Sequence, residues 1–254
     1  MDTPQIVSLG IENLSDEHIC CAFSDKKCAS GYQVKKEWLR EQFSHGYTFK
    51  KLTIRGKVFI EYVPAEHAWL PIDAPNYMVI NCFWVSGQYK GKGFGKQLMK
   101  ECFDDSKDKA GIVAVTGGKK RPFMTDSKFL KLQGFEKVDE AAPYFELWCN
   151  KNDPTAPNPK FLDSARQAKC KNNNGITVFY SNTCPFNEYY VNTVLKEFAE
   201  TKNIPLQINK IDSQEVAHKM PIPWIIHSLF YKGEFLTHEL KSEKGLAKLF
   251  VTKL

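Results

Sequence analysis

The sequence predicts a mixed α/β (α+β) protein made of two successive domains, the second the smaller. Three observations support this. Strand-like apolar runs alternate with segments of helical period along the chain. The alternation is broken after Cys149 by a stretch rich in proline and asparagine, "NKNDPTAPNPKFLDSARQAKCKNNNG". The length, 254 residues of which 43% are hydrophobic and 25% charged, suffices for one large core or two ordinary ones. The expected division is residues 1–150, a linker over 151–174, and residues 175–254.

The first part reads strand, helices, then a meander. "QIVSLG" is a short strand. "DEHICCAF" and "QVKKEWLREQFSHG" carry apolar residues at helical spacing, and the second stops at Gly46. "YTFKKLTI" and "KVFIEYV" form a hairpin bent at Arg55-Gly56. "YMVINCFWV" is a strand expected to be buried on both faces. A helix is predicted from Gly93 to Lys107, with Phe94, Leu98 and Cys102 on one stripe. The strand "GIVAVT" follows, then a short helix in "DSKFLKLQGFEKV" ended by Gly134, a return strand, and a last strand, "YFELWC". Inside the linker a short helix is expected from Phe161 to Lys169. The second part reads strand, Cys-Pro loop, helix and strand over "ITVFYSNTCPFNEYYVNTVLKEFAETKNIPLQINKI". A hairpin whose first strand starts at a proline and a terminal helix complete it.

Composition excludes several classes. No run of 18 apolar residues is present, so no membrane-spanning helix and no membrane partner are expected. The start, "MDTPQIVSLGIENL", lacks the basic and apolar regions of a signal peptide, which makes the cytoplasm the expected location. A net charge of +6 is mild, and no nucleic-acid partner is expected. The eight cysteines include no CxxC pair and read as small buried hydrophobes. His18, Cys20, Cys21 and Cys28 lack a second pair at ligand spacing, so no metal is expected.

The stretch "VSGQYKGKGFGKQL" is the most informative. Gly91, Gly93 and Gly95 alternate with Lys90, Lys92 and Lys96 between an apolar strand and a helix. A helix start offers unpaired N–H groups and the positive end of its dipole. Glycines let the backbone curl round an anion, and lysines add charge. The pattern therefore reads as a cradle for a phosphate or pyrophosphate, or more plainly as a glycine-rich turn with solvated lysines. The spacing fits neither GxxxxGK[ST] nor GxGxxG.

Gln88-x-x-Gly91-x-Gly93, continuing through Phe94-Gly95 to Leu98, resembles the signature of the GNAT superfamily of N-acetyltransferases. "FLKLQGFEKV" is similar to that family's "FYxKLGF" segment. The resemblance implies the GNAT acyl-CoA N-acyltransferase fold over residues 1–150, with acetyl-CoA as cosubstrate and an amine attacking its thioester directly in a ternary complex. Backbone groups near Phe83 and Val85 would pair with the pantetheine arm. Amides from Gln88 through Tyr89, Lys90, Gly91, Lys92, Gly93, Phe94 and Gly95 to Lys96 would hold the pyrophosphate. Lys119, Lys120 and Arg121 are candidates for the adenosine 3′-phosphate or for a solvated loop. Leu130 stands where many members of the family have a tyrosine, so that acid cannot be carried over, and Tyr144 is the substitute to consider. For a general base, Glu61 comes first, followed by Glu66 and His67. Cys82 reads as a core cysteine. The acceptor is a small-molecule or peptide amine, and a homodimer is left open.

The order of the second part resembles the thioredoxin fold, with Cys184-Pro185-Phe186-Asn187 at its CxxC position and Pro223 at its cis-proline position. Asn187 replaces the second cysteine, so a two-cysteine cycle is unavailable, while a thiol at a helix start is favoured as thiolate. Over nearly the whole chain, "CAFSDKK", "INCFWVSGQYKG" and "PYFEL" resemble the bacterial YoaP-like acetyltransferase family. Two other readings stand beside acetyl transfer: a CoA-binding sensor or scaffold without catalysis, and a monothiol redox protein acting through Cys184.

Overall fold

The computed structural model describes residues 4–251. The chain divides into two compact units. The first takes residues up to Cys20, Leu39–Ala68 and Ile72–Leu162; the second takes Cys21–Trp38, Trp69–Pro71 and the chain from Asp163 onward.

The first unit is organised by a seven-stranded sheet. Its strands are β1 (Ile6–Leu9), β2 (Thr48–Leu52), β3 (Val58–Pro64), β5 (Tyr77–Val85), β6 (Gly111–Gly117), β8 (Phe145–Lys151) and β7 (Glu136–Ala141), in that spatial order. Neighbours are antiparallel except β5 and β6, which run parallel. β4 (Ile72–Asp73) pairs separately with β9 (Lys160–Phe161). Helices α2 (Phe94–Asp105) and α3 (Ser127–Leu132) pack Leu98, Met99, Cys102 and Leu130 against Ile60, Tyr62, Ile80 and Ile112 of the sheet. That burial is the main stabilising term, at about 25 cal/mol per Å² of apolar surface removed from water.

Several expectations need correction. "DEHICCAF" is not helical. Ile19, Cys20 and Ala22 are buried, but Cys20 and Ala22 take φ of 63° and 59°, a conformation that does not propagate a right-handed helix. α1 (Ala29–Gln42) starts later and ends, as expected, in a tight turn capped by Gly46 at φ 77°. β5 is buried on both faces only from Tyr77 to Ile80; beyond that its residues are partly exposed. The helix expected over 161–169 is absent. Phe161 pairs with Ile72 as strand, and only a single tight turn, Asp163–Arg166, follows.

The second unit holds a four-stranded sheet in the order β11 (Leu206–Ile211), β10 (Ile176–Ser181), β12 (His227–Tyr231), β13 (Glu234–Thr237). β10 and β11 are parallel; β12 is antiparallel to both β10 and β13. One continuous helical run covers a face of this sheet: α4 (Asn187–Tyr189), a π-helical stretch (Tyr190–Leu195) and α5 (Lys196–Thr201). With α7 (Glu243–Phe250), it buries Leu195, Phe198, Leu246 and Phe250 on Val178 and Leu229. A short helix missed by periodicity, α6 (Gln214–His218), is capped by Ser213 and helps bury Ile211 and Met220. The first hairpin strand begins at His227 rather than at a proline, since Pro221 and Pro223 have no N–H for a ladder. Pro223 is not cis: among the described residues the cis X-Pro bond is Ala142–Pro143.

Gly31, in α1, lies against the Cys184-Pro185 loop of the same unit. A Cβ there would stand 2.2 Å from the Pro185 carbonyl oxygen. Gly31→Ala is therefore expected to destabilise the protein by about 1–3 kcal/mol, the usual cost of overpacking against rigid backbone. Urea denaturation checks it, and an unshifted midpoint would contradict the packing.

Candidate functional site

The site in the first unit begins with a break in the sheet. β5 and β6 pair from Tyr77↔Gly111 to Ile80↔Ala114, and there the register ends. On its other edge β5 stays paired with β3 as far as Val85↔Val58. The partners step from Tyr62↔Ile80 to Glu61↔Cys82, so Asn81 is an extra residue on β5. Such a bulge bends its strand, and it stands where β5 leaves β6. The two strands diverge beyond it.

Next comes the glycine and lysine loop. Gly87–Tyr89 makes a tight turn, and Gly93 caps α2. Gly91 and Gly93 hold φ of 74° and 82°, where only glycine is unstrained, and a Cβ at either would meet no atom within 4 Å. The glycines are thus required by backbone conformation and leave open space in front of it. The first amide of α2 with an internal partner is that of Gln97, which donates to the Gly93 carbonyl at 3.1 Å. Among the described residues no protein acceptor takes the N–H groups from Gly91 to Lys96, and no carboxylate pairs with Lys90, Lys92 or Lys96. Tyr89 anchors the loop: its ring lies where a Cβ on Gly56 would be 2.6 Å away.

β5, this loop and the α3 region enclose a cleft of about 560 Å³. β5 contributes Phe83, Trp84 and Val85. The loop adds Tyr89, Lys90 and Gly91, and the helix start adds Gly93, Phe94, Gly95 and Lys96. Gln88 and Lys92, both exposed, do not line it. The opposite wall was not visible in the sequence: Met124, Thr125, Asp126 and Phe129. Phe129 stacks on Phe83 with centroids 4.9 Å apart and planes 14° from parallel. Gly95 allows the first turn of α2 to rest on that pair, since its Cβ would lie 3.4 Å from both rings. Asp126 accepts from the Lys128 amide and caps α3.

The other candidates are scattered. Glu61 is 1% exposed and accepts from the Tyr47 hydroxyl at 2.6 Å; it does not line the cleft. Burial first, and then the Glu61 charge, hold the Tyr47 phenol protonated well above its usual range. Glu66 accepts from the Asn76 amide at 2.7 Å, fixing the turn into β5, and His67 packs on His45 with ring centroids 5.1 Å apart. Leu130 is fully buried in the core. Cys82 is half-buried on β5. Of the basic trio, Lys120 lines the cleft, whereas Arg121 lies on the ring of Tyr144. His18 accepts from the Cys20 amide through Nδ1, and its Nε2 sits 2.8 Å from the Ile54 carbonyl oxygen. No group of three His, Cys, Asp or Glu placed to hold a metal exists among the described residues.

In the second unit Cys184 is half-buried just before α4. Asn187, fully buried, donates through Nδ2 to the carbonyls of Ser181 and Ile226, both at 2.7 Å. Asn187 is therefore a clamp between β10 and the segment leading into β12. Among the described residues no helix is long and apolar enough to cross a membrane.

Comparison with known proteins matches residues 11–121 to the acetyltransferase (GNAT) family and residues 205–248 to a YoaP-like family. The chain is 41% identical over 243 residues to the uncharacterized N-acetyltransferase YoaP of Bacillus subtilis (strain 168), covering 95% of this chain and 96% of that protein. Among solved structures, PaiA N-acetyltransferase of Thermoplasma acidophilum in complex with coenzyme A is 18% identical, with a TM-score of 0.42 over 59% of this chain and 99% of that one. The ribosomal-protein-S18-alanine N-acetyltransferase of Escherichia coli is 12% identical, with a TM-score of 0.39 over 61% of this chain and 98% of that one.

Proposed function

The chain belongs to the YoaP-like family of GNAT N-acetyltransferases, and from that premise we propose that it transfers the acetyl group of acetyl-CoA to a primary amine by direct attack in a ternary complex. The observation that carries this reading is the row of unpaired amides from Gly91 to Lys96, at the mouth of a cleft bordered by a diverging strand. Those amides, the positive end of α2 and the unpaired lysines suit a pyrophosphate. Phe83 and Val85 lie on the part of β5 that β6 has left, where an extended pantetheine arm can bond the backbone as an added strand. Acetyl-CoA supplies an activated acyl group whose C–S bond breaks as the C–N bond to the amine forms.

The protein's part is to orient the two reactants and to accept a proton from the amine. Glu61 stays the first candidate base by its place opposite Cys82, just beyond the point where the strands part, although burial and the bond from Tyr47 keep it out of the cleft lining. Glu66 has the structural task of holding the Asn76 amide. The transfer chemistry is assigned to residues 1–150, with residues 175–254 as an accessory thioredoxin-like domain of the same cytoplasmic protein.

Calorimetric titration of acetyl-CoA into the full-length chain, followed by a screen of primary amines for CoA release, tests the reading. Micromolar binding with turnover of at least one amine is the expected result. Binding without turnover of any amine would favour the sensor reading. No binding would remove the cradle and leave Cys184 as the place to look.

A further inference from the structure

Arg121 is held in an unusual way for a loop arginine. Its guanidinium carbon lies over the Tyr144 ring, 3.4 Å from the centroid. Its stem runs over Gly117, the last residue of β6; a Cβ there would stand 2.6 Å from Cδ and 2.9 Å from Nε of Arg121. The Gly118 amide donates to the Tyr144 carbonyl at 2.9 Å, which ties the two sides of this sandwich together. Phe123, in the same loop, takes a φ of 64°, a strained conformation for an aromatic residue. The arginine is thus positioned by a glycine, a ring and a constrained loop.

No counter-charge comes with that positioning. Nε is closed off from water and has no acceptor, and no hydrogen bond or ion pair to the rest of the guanidinium exists among the described residues. A guanidinium that has lost part of its water normally recovers the cost through a carboxylate or phosphate that matches its planar fork. An anion on Arg121 would lie outside the lining of the cleft that the loop amides border. Lys120 lines the cleft, but Arg121 and Tyr144 do not. Gly117, under the Arg121 stem, ends β6 three residues past Ala114, where β5 and β6 part, and Tyr144 directly precedes its partner on β8, Phe145.

We propose that Arg121, oriented by Tyr144, is a specificity-determining residue that takes the carboxylate of the acceptor, so that the acceptor is a carboxylated primary amine such as a free amino acid. The proposal deepens the acetyl-transfer reading and rests on it.

The test compares kcat/KM for a panel of amino acids with that for the matching amino-acid amides, using acetyl-CoA and the full-length protein. The wild-type protein is expected to prefer the acids by about 10- to 100-fold, the range for hydrogen bonds to a charged group. Arg121→Gln should bring the acid-to-amide ratio to about one, and Arg121→Lys should leave it intermediate. Tyr144→Leu, which removes the platform but not the charge, should lower it in part. Thermal melts of each variant confirm folding. In parallel, the affinity ratio of CoA to 3′-dephospho-CoA should be the same in wild-type and Arg121→Gln proteins.

Equal use of acids and amides by the wild-type protein, or acetylation of neither, overturns the proposal. So does an Arg121→Gln variant that weakens CoA but not 3′-dephospho-CoA, which would assign Arg121 to the nucleotide phosphate. Absence of acetyl-CoA binding would overturn both this proposal and the acetyl-transfer reading. Acetyl-CoA binding without carboxylate preference overturns this proposal alone.

Discussion

Gly93→Glu is expected to abolish acetyl-CoA binding, weakening it by more than about 100-fold, or roughly 2.7 kcal/mol, while leaving the fold intact. Gly93 caps α2 with φ at 82°, so any side chain there costs about 1–2 kcal/mol of backbone strain. That strain is local, because a Cβ at this position meets no atom within 4 Å. The larger effect is electrostatic: a carboxylate would sit among the amides proposed for the pyrophosphate and could take them itself. Gly93→Ala carries the strain without the charge and should lose about tenfold or less. Calorimetry on both variants separates the two contributions. Full affinity in Gly93→Glu would mean that the pyrophosphate lies elsewhere.

The second large effect concerns acid stability. His227 on β12 is buried, and burial first, then the neighbouring His238 charge, push its pKa down to about 4, against the pull of a backbone hydrogen bond to His238. The unfolded chain titrates near 6.5. Between these values the unfolded state binds a proton that the folded state refuses, so stability falls as pH drops from about 6.5 towards 4. The loss approaches about 3 kcal/mol at the lower end, from 1.36 kcal/mol per pKa unit. Above pH 6.5 the group contributes no pH dependence. Urea denaturation at pH 7.5, 6 and 4.5 should show this fall in the wild-type protein, and a shallower one in His227→Leu. Equal slopes would place the acid sensitivity in other groups.

Much of the fold was legible because sequence periodicity reports burial. β5 was read to its first and last residue, and α2 to within two residues at either end. "DEHICCAF" misled for the same reason: Ile19 and Cys20 are fully buried, but in a coil bent through two left-handed residues. Periodicity detects that a segment is covered, not how its backbone runs. The loop with left-handed glycines at the start of α2 was legible because alternating glycines have few other uses. The facing wall was not. Met124 just precedes the short helix α3 and Phe129 lies within it, and nothing in their apolar character distinguishes a residue that lines a cleft from one that fills a core. The special position of Arg121 depends on Gly117 and on Tyr144, 23 positions further along, a relation that only the β6–β8 pairing creates.

Asn187 has a consequence for the second unit. The Asn187 amide holds two backbone carbonyls, those of Ser181 and Ile226. An amide cannot be reduced. The link that Asn187 makes between Ser181 and Ile226 therefore does not depend on the redox poise of the surroundings. Only the Cys184 thiol itself, half-buried just before α4, is left to respond to oxidants.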